Sequence, residues 1–165
     1  MPRFNHEQSP TSPHRYLQGT DDVIGPSGRA WRRDWVVGRG LCLYRRFILG
    51  DVPPAERQDA LTLRVQQWSP FAETGRFVAW EGNHALVWIW DEALRREKML
   101  EIGAKSARAL PESVVRPRGN GHKIQLLSCL EGLEAQVWQD GALWASRWWP
   151  EPPSQHEWVR FCWPM

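Results

Sequence analysis

The sequence predicts a mixed α/β fold built from two sheet-and-helix units. Three observations carry this expectation. β-prone apolar runs alternate with helical patterns between residues 34 and 103. Three short strands separated by turn dipeptides fill residues 123–149. A helix-capping signature then follows at Ser154.

Residues 1–30 are rich in Pro, Ser, Gly and charge, with few large apolar side chains. This composition predicts a flexible arm, with ordering from Trp31 onward. "DWVVGRGLCLYRRFILG" (34–50) holds two short apolar runs around Gly38 and Gly40, which reads as a hairpin turning at "GRG". Pro53 and Pro54 mark a helix start. Leu61, Val65 and Trp68 then fall at i, i+4 and i+7, one helical face. Pro70 ends that helix by disfavouring helical geometry at Ser69.

"GRFVAW" (75–80) and "HALVWIW" (84–90), joined by "EGN", predict a second hairpin. Asp91 stands at the N-cap position of "EALRREKMLEIG", with Glu92 in the first turn and Gly103 as terminator. From residue 123, "KIQLLSCL", "LEAQVW" and "ALWASRWW" form a meander across "EG" and "QDG". Strict alternation places Leu143, Ala145, Arg147 and Trp149 on one face, and Trp144, Ser146 and Trp148 on the other. Pro150, Pro152 and Pro153 stop the strand. Ser154 and Glu157 form a capping box ahead of a last helix, with one of the two adjacent Trp rings beneath it. The expected organisation is an arm at 1–30, a first lobe at 31–109 and the start of a second at 110–165. Because the last helix starts so close to Met165, a longer natural polypeptide is expected.

Composition narrows the chemistry. The 165 residues carry a net charge of +2, too little to steer nucleic acid. Only Lys98, Lys105 and Lys123 are lysines and all other cationic side chains are arginine, a balance suited to aromatic stacking and planar pairing. The 12 Trp each bury about 150–250 Å² when packed, so most belong to the core. Cys42, Cys129 and Cys162 are odd in number and show no CxxC spacing, which argues against a disulfide framework or zinc site. The first thirty residues contain no apolar segment of signal-peptide type, and no apolar run approaches the ~20 residues of a membrane span.

No phosphate-cradling P-loop, nucleophile elbow or H-E-x-x-H motif is present. The five histidines are dispersed. Glu131 and Glu134 flank a turn as ordinary surface charges would. Glu112 follows Pro111 with no evident pairing partner. No acid/base couple, metal site or cofactor site is expected, and the chain is read as not an enzyme. "RPRGNGHK" (116–123) is one compact basic loop, read as a solvated turn. The candidate partner-binding residues are Arg147 and Trp148 at the end of the meander, and Trp68 and Phe71 after the first helix, Arg and aromatic residues being those that dominate interface energetics.

"LCLYRRFILGDVPPAERQDALTLRVQQWSPF" (41–71), ending in Pro70 and Phe71, resembles a segment of the cytoplasmic domain of the type II secretion L component and its type IV pilus relatives. "LPES" (110–113) is similar to the Leu-Pro-Glu that precedes the second lobe there. "LSCLEGLEAQVWQDGALWASRWW" (127–149) is similar to the meander that follows. The resemblance implies a ribonuclease-H/actin-like lobe with a mixed sheet, followed by the start of a second. It implies a non-catalytic cytoplasmic scaffold, tethered at the bacterial inner membrane by a later segment, that engages a secretion ATPase or another platform protein. Nucleotide-binding members of the wider fold carry Asp-x-Gly turns that meet phosphate and magnesium. The matching turns here are "VGRG" (37–40) and "LEGL" (130–133), and neither has that order. The alternative is a nucleotide- or nucleic-acid-binding protein on the same topology, which needs carboxylates converging from neighbouring strands.

Overall fold

The run Trp35, Val36 and Val37 is buried throughout, as in strands covered on both faces. A computed structural model describes residues 14–26, 33–104 and 107–162. Its strands are β1 (Arg15–Gln18), β2 (Val23–Ile24), β3 (Asp34–Val37), β4 (Leu43–Ile48), β5 (Thr74–Glu81), β6 (His84–Asp91), β7 (Arg108–Pro111), β8 (Lys123–Ser128), β9 (Leu133–Gln139) and β10 (Ala142–Trp149). The helices are α1 (Arg57–Trp68), α2 (Glu92–Glu101) and α3 (Gln155–Cys162).

The strands form three sheets, ordered β2-β1-β3-β7, β4-β6-β5 and β10-β9-β8. β1, β3 and β7 run parallel in the first; β2 pairs antiparallel with β1, and both other sheets are wholly antiparallel. The central core lies where the sheets meet. It gathers Tyr16, Trp35, Leu86, Trp88, Trp138 and Leu143, among others. α1 covers the other face of the β4-β6-β5 sheet with Leu61 and Val65, against Phe47, Val87 and Ile89. α3 covers the outer face of β9 and β10, with Phe161 edge-on to Trp149 at 5.7 Å.

Local signals account for the helices and hairpins. The Asp91 carboxylate accepts from the Leu94 N–H at 3.1 Å, and Gly103 at φ +62° ends α2. Ser154 and Glu157 close the expected capping box reciprocally. Trp149 is the ring beneath α3, and Trp148 goes to the opposite face.

Three expectations need correction. Residues Arg15–Gln18, assigned to a flexible arm, form a wholly buried strand. The parallel ladder with β3 holds it, together with Tyr16 stacked on Trp35 at 5.3 Å and the Trp35 indole N–H donated to Gln18 at 2.7 Å. Four residues inside a Pro/Ser-rich stretch carry too little pattern to reveal that support. Val23 and Ile24 of the same stretch form β2 beside it, and residues 1–13 and 27–30 of the expected arm lie outside the described residues.

The expected hairpin of residues 34–50 does not form either. β3 and β4 enter different sheets, diverging around a short 3₁₀ turn at Arg39–Leu41. Arg39 is buried there and its guanidinium donates to the Cys42 carbonyl at 2.7 Å, so the chain bends around a side chain. Finally, a β-bulge between Leu143 and Ala145 breaks the alternation of β10. Leu143 joins the central core, whereas Ala145 and Trp149 pack under α3.

Candidate functional site: the sealed junction

The turn after β3 and the turn before β9 face each other, and the functional question is what lies between them. β9 supplies the floor. Its residues Leu133, Ala135 and Val137 alternate with Glu134, Gln136 and Trp138, and only Ala135 and Val137 of these belong to the cluster under α3. The polar row therefore faces inward. Glu134 and Gln136 are both fully buried.

Glu134 is saturated with donors. Its Oε1 accepts from Arg39 Nε at 2.7 Å and from the Ser113 hydroxyl at 2.7 Å, and also from the Ser146 hydroxyl. Its Oε2 accepts from Gln136 Nε2 at 2.9 Å. Gln136 Oε1 in turn accepts from the Trp138 indole and from Gln125, each at 2.8 Å. The remaining Arg39 donors go to the Cys42 carbonyl at 2.7 Å and the Ser146 hydroxyl at 2.8 Å. A buried charge pair with this many partners meets the condition for ions to persist away from water.

A second carboxylate ties the two turns together. Glu112, 1% exposed, accepts from the Arg39 backbone N–H through Oε2 at 2.9 Å, and from the Leu130 backbone N–H through Oε1 at 2.7 Å. Arg116 pairs with the same carboxylate. Glu112, which sequence reasoning left unpaired, thus bridges both turns. Trp148 completes the closure. Its indole donates to the Glu131 carbonyl at 2.7 Å, and a Cβ on Gly40 would lie 2.8 Å from its ring. Glu131 itself accepts from the N–H and hydroxyl of Thr20, which ties the turn after β1 to the same place.

The electrostatics follow from this burial. Desolvation pushes the Cys42 and Cys129 thiols up to about 12, with Glu112 and Glu134 adding to the rise. Burial likewise raises Tyr44, whose hydroxyl donates to the Leu143 carbonyl at 2.5 Å. Neither thiol is held as the thiolate that nucleophilic chemistry requires. Every carboxylate oxygen of Glu112 and Glu134 is engaged by the protein's own donors. Among the described residues no group of three or more His, Cys, Asp or Glu could hold a metal ion.

The four expected partner-binding residues separate into two places. Trp68 and Phe71 are half-buried together at the end of α1, with Phe47 edge-on to Trp68 at 5.7 Å and the Arg45 guanidinium 6.0 Å from the Trp68 ring. Arg147 is exposed and lies over the Trp149 ring at 5.1 Å. Trp148 is committed to the junction. The buried residues Arg39, Glu112 and Glu134 were not singled out as site residues from sequence. The polar alternation in "LEAQVW", with Glu134 and Gln136 two apart on a central strand, is the signal that could have found them.

No protein-family model matches the chain, and no curated protein does. Among solved structures, the chain is similar to the cytoplasmic domain of EpsL, an inner membrane component of the type II secretion system of Vibrio cholerae. The TM-score is 0.53 and the identity 13%, over 81% of this chain and 70% of that one. It is also similar to a Bacteroides thetaiotaomicron protein with an actin-like ATPase fold and unknown function, at a TM-score of 0.50 and 10% identity, over 90% of this chain and 73% of that one. The fold is therefore actin-like, mixed α/β. No helix among the described residues is long and apolar enough to cross a membrane.

Proposed function

We propose that this chain is a non-catalytic assembly domain of a bacterial secretion or pilus machine, working on the cytoplasmic side of the inner membrane and recruiting an ATPase or another platform protein. The likeness to the EpsL cytoplasmic domain supports the setting. The observation that carries the non-catalytic reading is Glu112. Backbone N–H groups of facing turns suit an anion, and here a carboxylate of the chain itself takes both of them. A nucleotide phosphate would have to displace a buried, triply bonded carboxylate and meet Glu131 and Glu134 close by. Like charges there disfavour the exchange.

Recruitment rests on the exposed Arg147 and on the Arg45, Trp68 and Phe71 group at the end of α1, because Arg and aromatic residues dominate interface energetics. Two measurements test the reading. Calorimetric titration with ATP–Mg²⁺ is expected to give no heat of binding; saturable binding would favour the nucleotide-binding alternative. Co-purification with a secretion ATPase from the same genome is expected for the wild type and weakened by Arg147→Glu. A chain that retains no such ATPase under low salt contradicts the recruiting role.

A further inference from the structure

The aromatic group at the end of α1 carries a cation with no counter-ion among the described residues. Arg45 is exposed, its guanidinium over the Phe47 ring at 5.3 Å and over the Trp68 ring at 6.0 Å, and it has no carboxylate or other hydrogen-bond partner there. Its neighbours differ. Arg64, one turn before Trp68 on α1, pairs with Asp51 at 3.8 Å. Glu73, two residues beyond Phe71, is taken by Arg96. The rings hold the guanidinium without using up its fork of N–H donors, which is built to meet a carboxylate.

The bed around Arg45 is fixed in place. Phe47 is buried and stands edge-on to Trp68 at 5.7 Å. The Ser69 N–H ends α1 on the Val65 carbonyl at 2.8 Å. The Ser69 hydroxyl accepts from the Phe71 N–H at 3.2 Å and meets the Thr74 hydroxyl at 2.6 Å. Trp68 and Phe71, both half-buried, are thus held before any partner arrives, which lowers the ordering cost of binding. Leu43, 41% exposed, lies two residues before Arg45 and so on the same face of β4.

We propose that this surface takes a partner segment in which an Asp or Glu carboxylate stands beside an apolar side chain. The carboxylate pairs with Arg45, and the apolar group packs on Leu43, Trp68 and Phe71. The inference rests on the recruiting role and names the chemistry of the partner. A single unneutralised cation among apolar groups matches one carboxylate. Nucleic acids and anionic lipid surfaces are held by many cations acting together, and here Arg64 and Arg96 are already paired. The apolar rim shields the ion pair from water, the arrangement in which an interfacial Arg contributes most.

Two measurements test the proposal and separate it from the role on which it rests. The ¹⁵N-labelled full chain is titrated with the blocked peptide acetyl-Leu-Glu-Phe-Gly-amide, and with versions carrying Gln or Lys in place of Glu. The Arg45 Nε–H and Trp68 indole signals are expected to shift saturably with the Glu peptide and to stay in place with the other two. Arg45→Gln is expected to weaken binding about tenfold through loss of a charge-assisted contact. Arg45→Glu is expected to reverse the preference toward the Lys peptide, and neither change should lower the melting temperature, since Arg45 is exposed. No shift with the Glu peptide, an equal shift with the Gln peptide, or unchanged affinity in Arg45→Gln overturns the proposal. Capture of the secretion ATPase is then compared for wild type and Arg45→Glu. Capture by Arg45→Glu at the wild-type level overturns the acidic-segment site and leaves the recruiting role standing. A wild type that binds the Glu peptide but captures no ATPase supports the site and contradicts the role.

Discussion

Arg39 donates through Nε to the Glu134 carboxylate at 2.7 Å, joining the turn after β3 to the central strand of the last sheet. The side chains are 4% and 0% exposed. The two residues are 95 positions apart, so this contact forms only when the halves of the chain have come together. It is a lock on tertiary arrangement.

Breaking the lock from one side should be severe. Arg39→Ala leaves Glu134 charged and buried with no cation, and a loss of about 3–5 kcal/mol is expected. The double substitution Arg39→Met with Glu134→Leu removes both charges and should cost less than either single change. Urea unfolding of Arg39→Ala, of Arg39→Met and Glu134→Leu singly, and of the double variant measures this. A loss below about 1 kcal/mol for Arg39→Ala would mean that the pair behaves as a surface contact.

Glu112 makes a related prediction with a residue-level readout. Glu112→Ala strands the N–H groups of Arg39 and Leu130 and unpairs Arg116. The expected loss is about 2–5 kcal/mol, lowering the melting temperature by about 2–4 °C per kcal/mol. Glu112→Gln keeps acceptor capacity and should lose less. Hydrogen exchange at Arg39 and Leu130 should accelerate in Glu112→Ala, more than at buried β6 amides. Uniform acceleration would show that Glu112 acts on global stability alone.

How much of this was legible in sequence depended on whether the signal was local. The α2 cap at Asp91, the capping box at Ser154, the β5–β6 hairpin and the final meander all follow from residues a few positions apart. What escaped notice was set by distant partners. β1 is four residues whose strand state rests on a ladder with β3. Glu134 looked like a turn charge because its cation, Arg39, lies on the far side of the molecule in sequence. The bulge that sends Leu143 and Trp149 to opposite cores involves one extra residue, Trp144, which periodicity alone does not mark. Arg46 lies over that displaced ring at 3.8 Å.

Gly40 and Trp148 give a prediction that separates contact from backbone strain. Gly40 has no positive φ, whereas Gly132 sits at φ +70°. The three atoms nearest to a Cβ at Gly40 all belong to the Trp148 ring. Gly40→Ala is therefore expected to destabilise by about 1–3 kcal/mol through overpacking. The penalty should vanish in a Trp148→Ala background, giving a coupling of similar size. At Gly132 the added Cβ would also lie 2.2 Å from the Trp149 carbonyl, so the same background should not rescue Gly132→Ala. Equal rescue at both glycines would refute the distinction.

The thiols predict the behaviour of the fold in alkali. Burial pushes Cys42 and Cys129 up to about 12 in the folded chain, whereas an unfolded thiol ionises near about 8.5. Below about 8.5 both states carry the proton, and the contribution does not vary with pH. Above it the unfolded chain releases protons that the folded chain retains, so the native state binds more protons and stability falls with rising pH. The decline should run from about pH 8.5 toward 12 and shrink in Cys42→Ala with Cys129→Ser. At pH 8 the native chain should leave both thiols unreactive toward a disulfide reagent, while in denaturant all 3 cysteines react. Rapid native labelling of Cys42 would show that the junction opens, and the seal made by Arg39, Glu112 and Trp148 would then have to be transient.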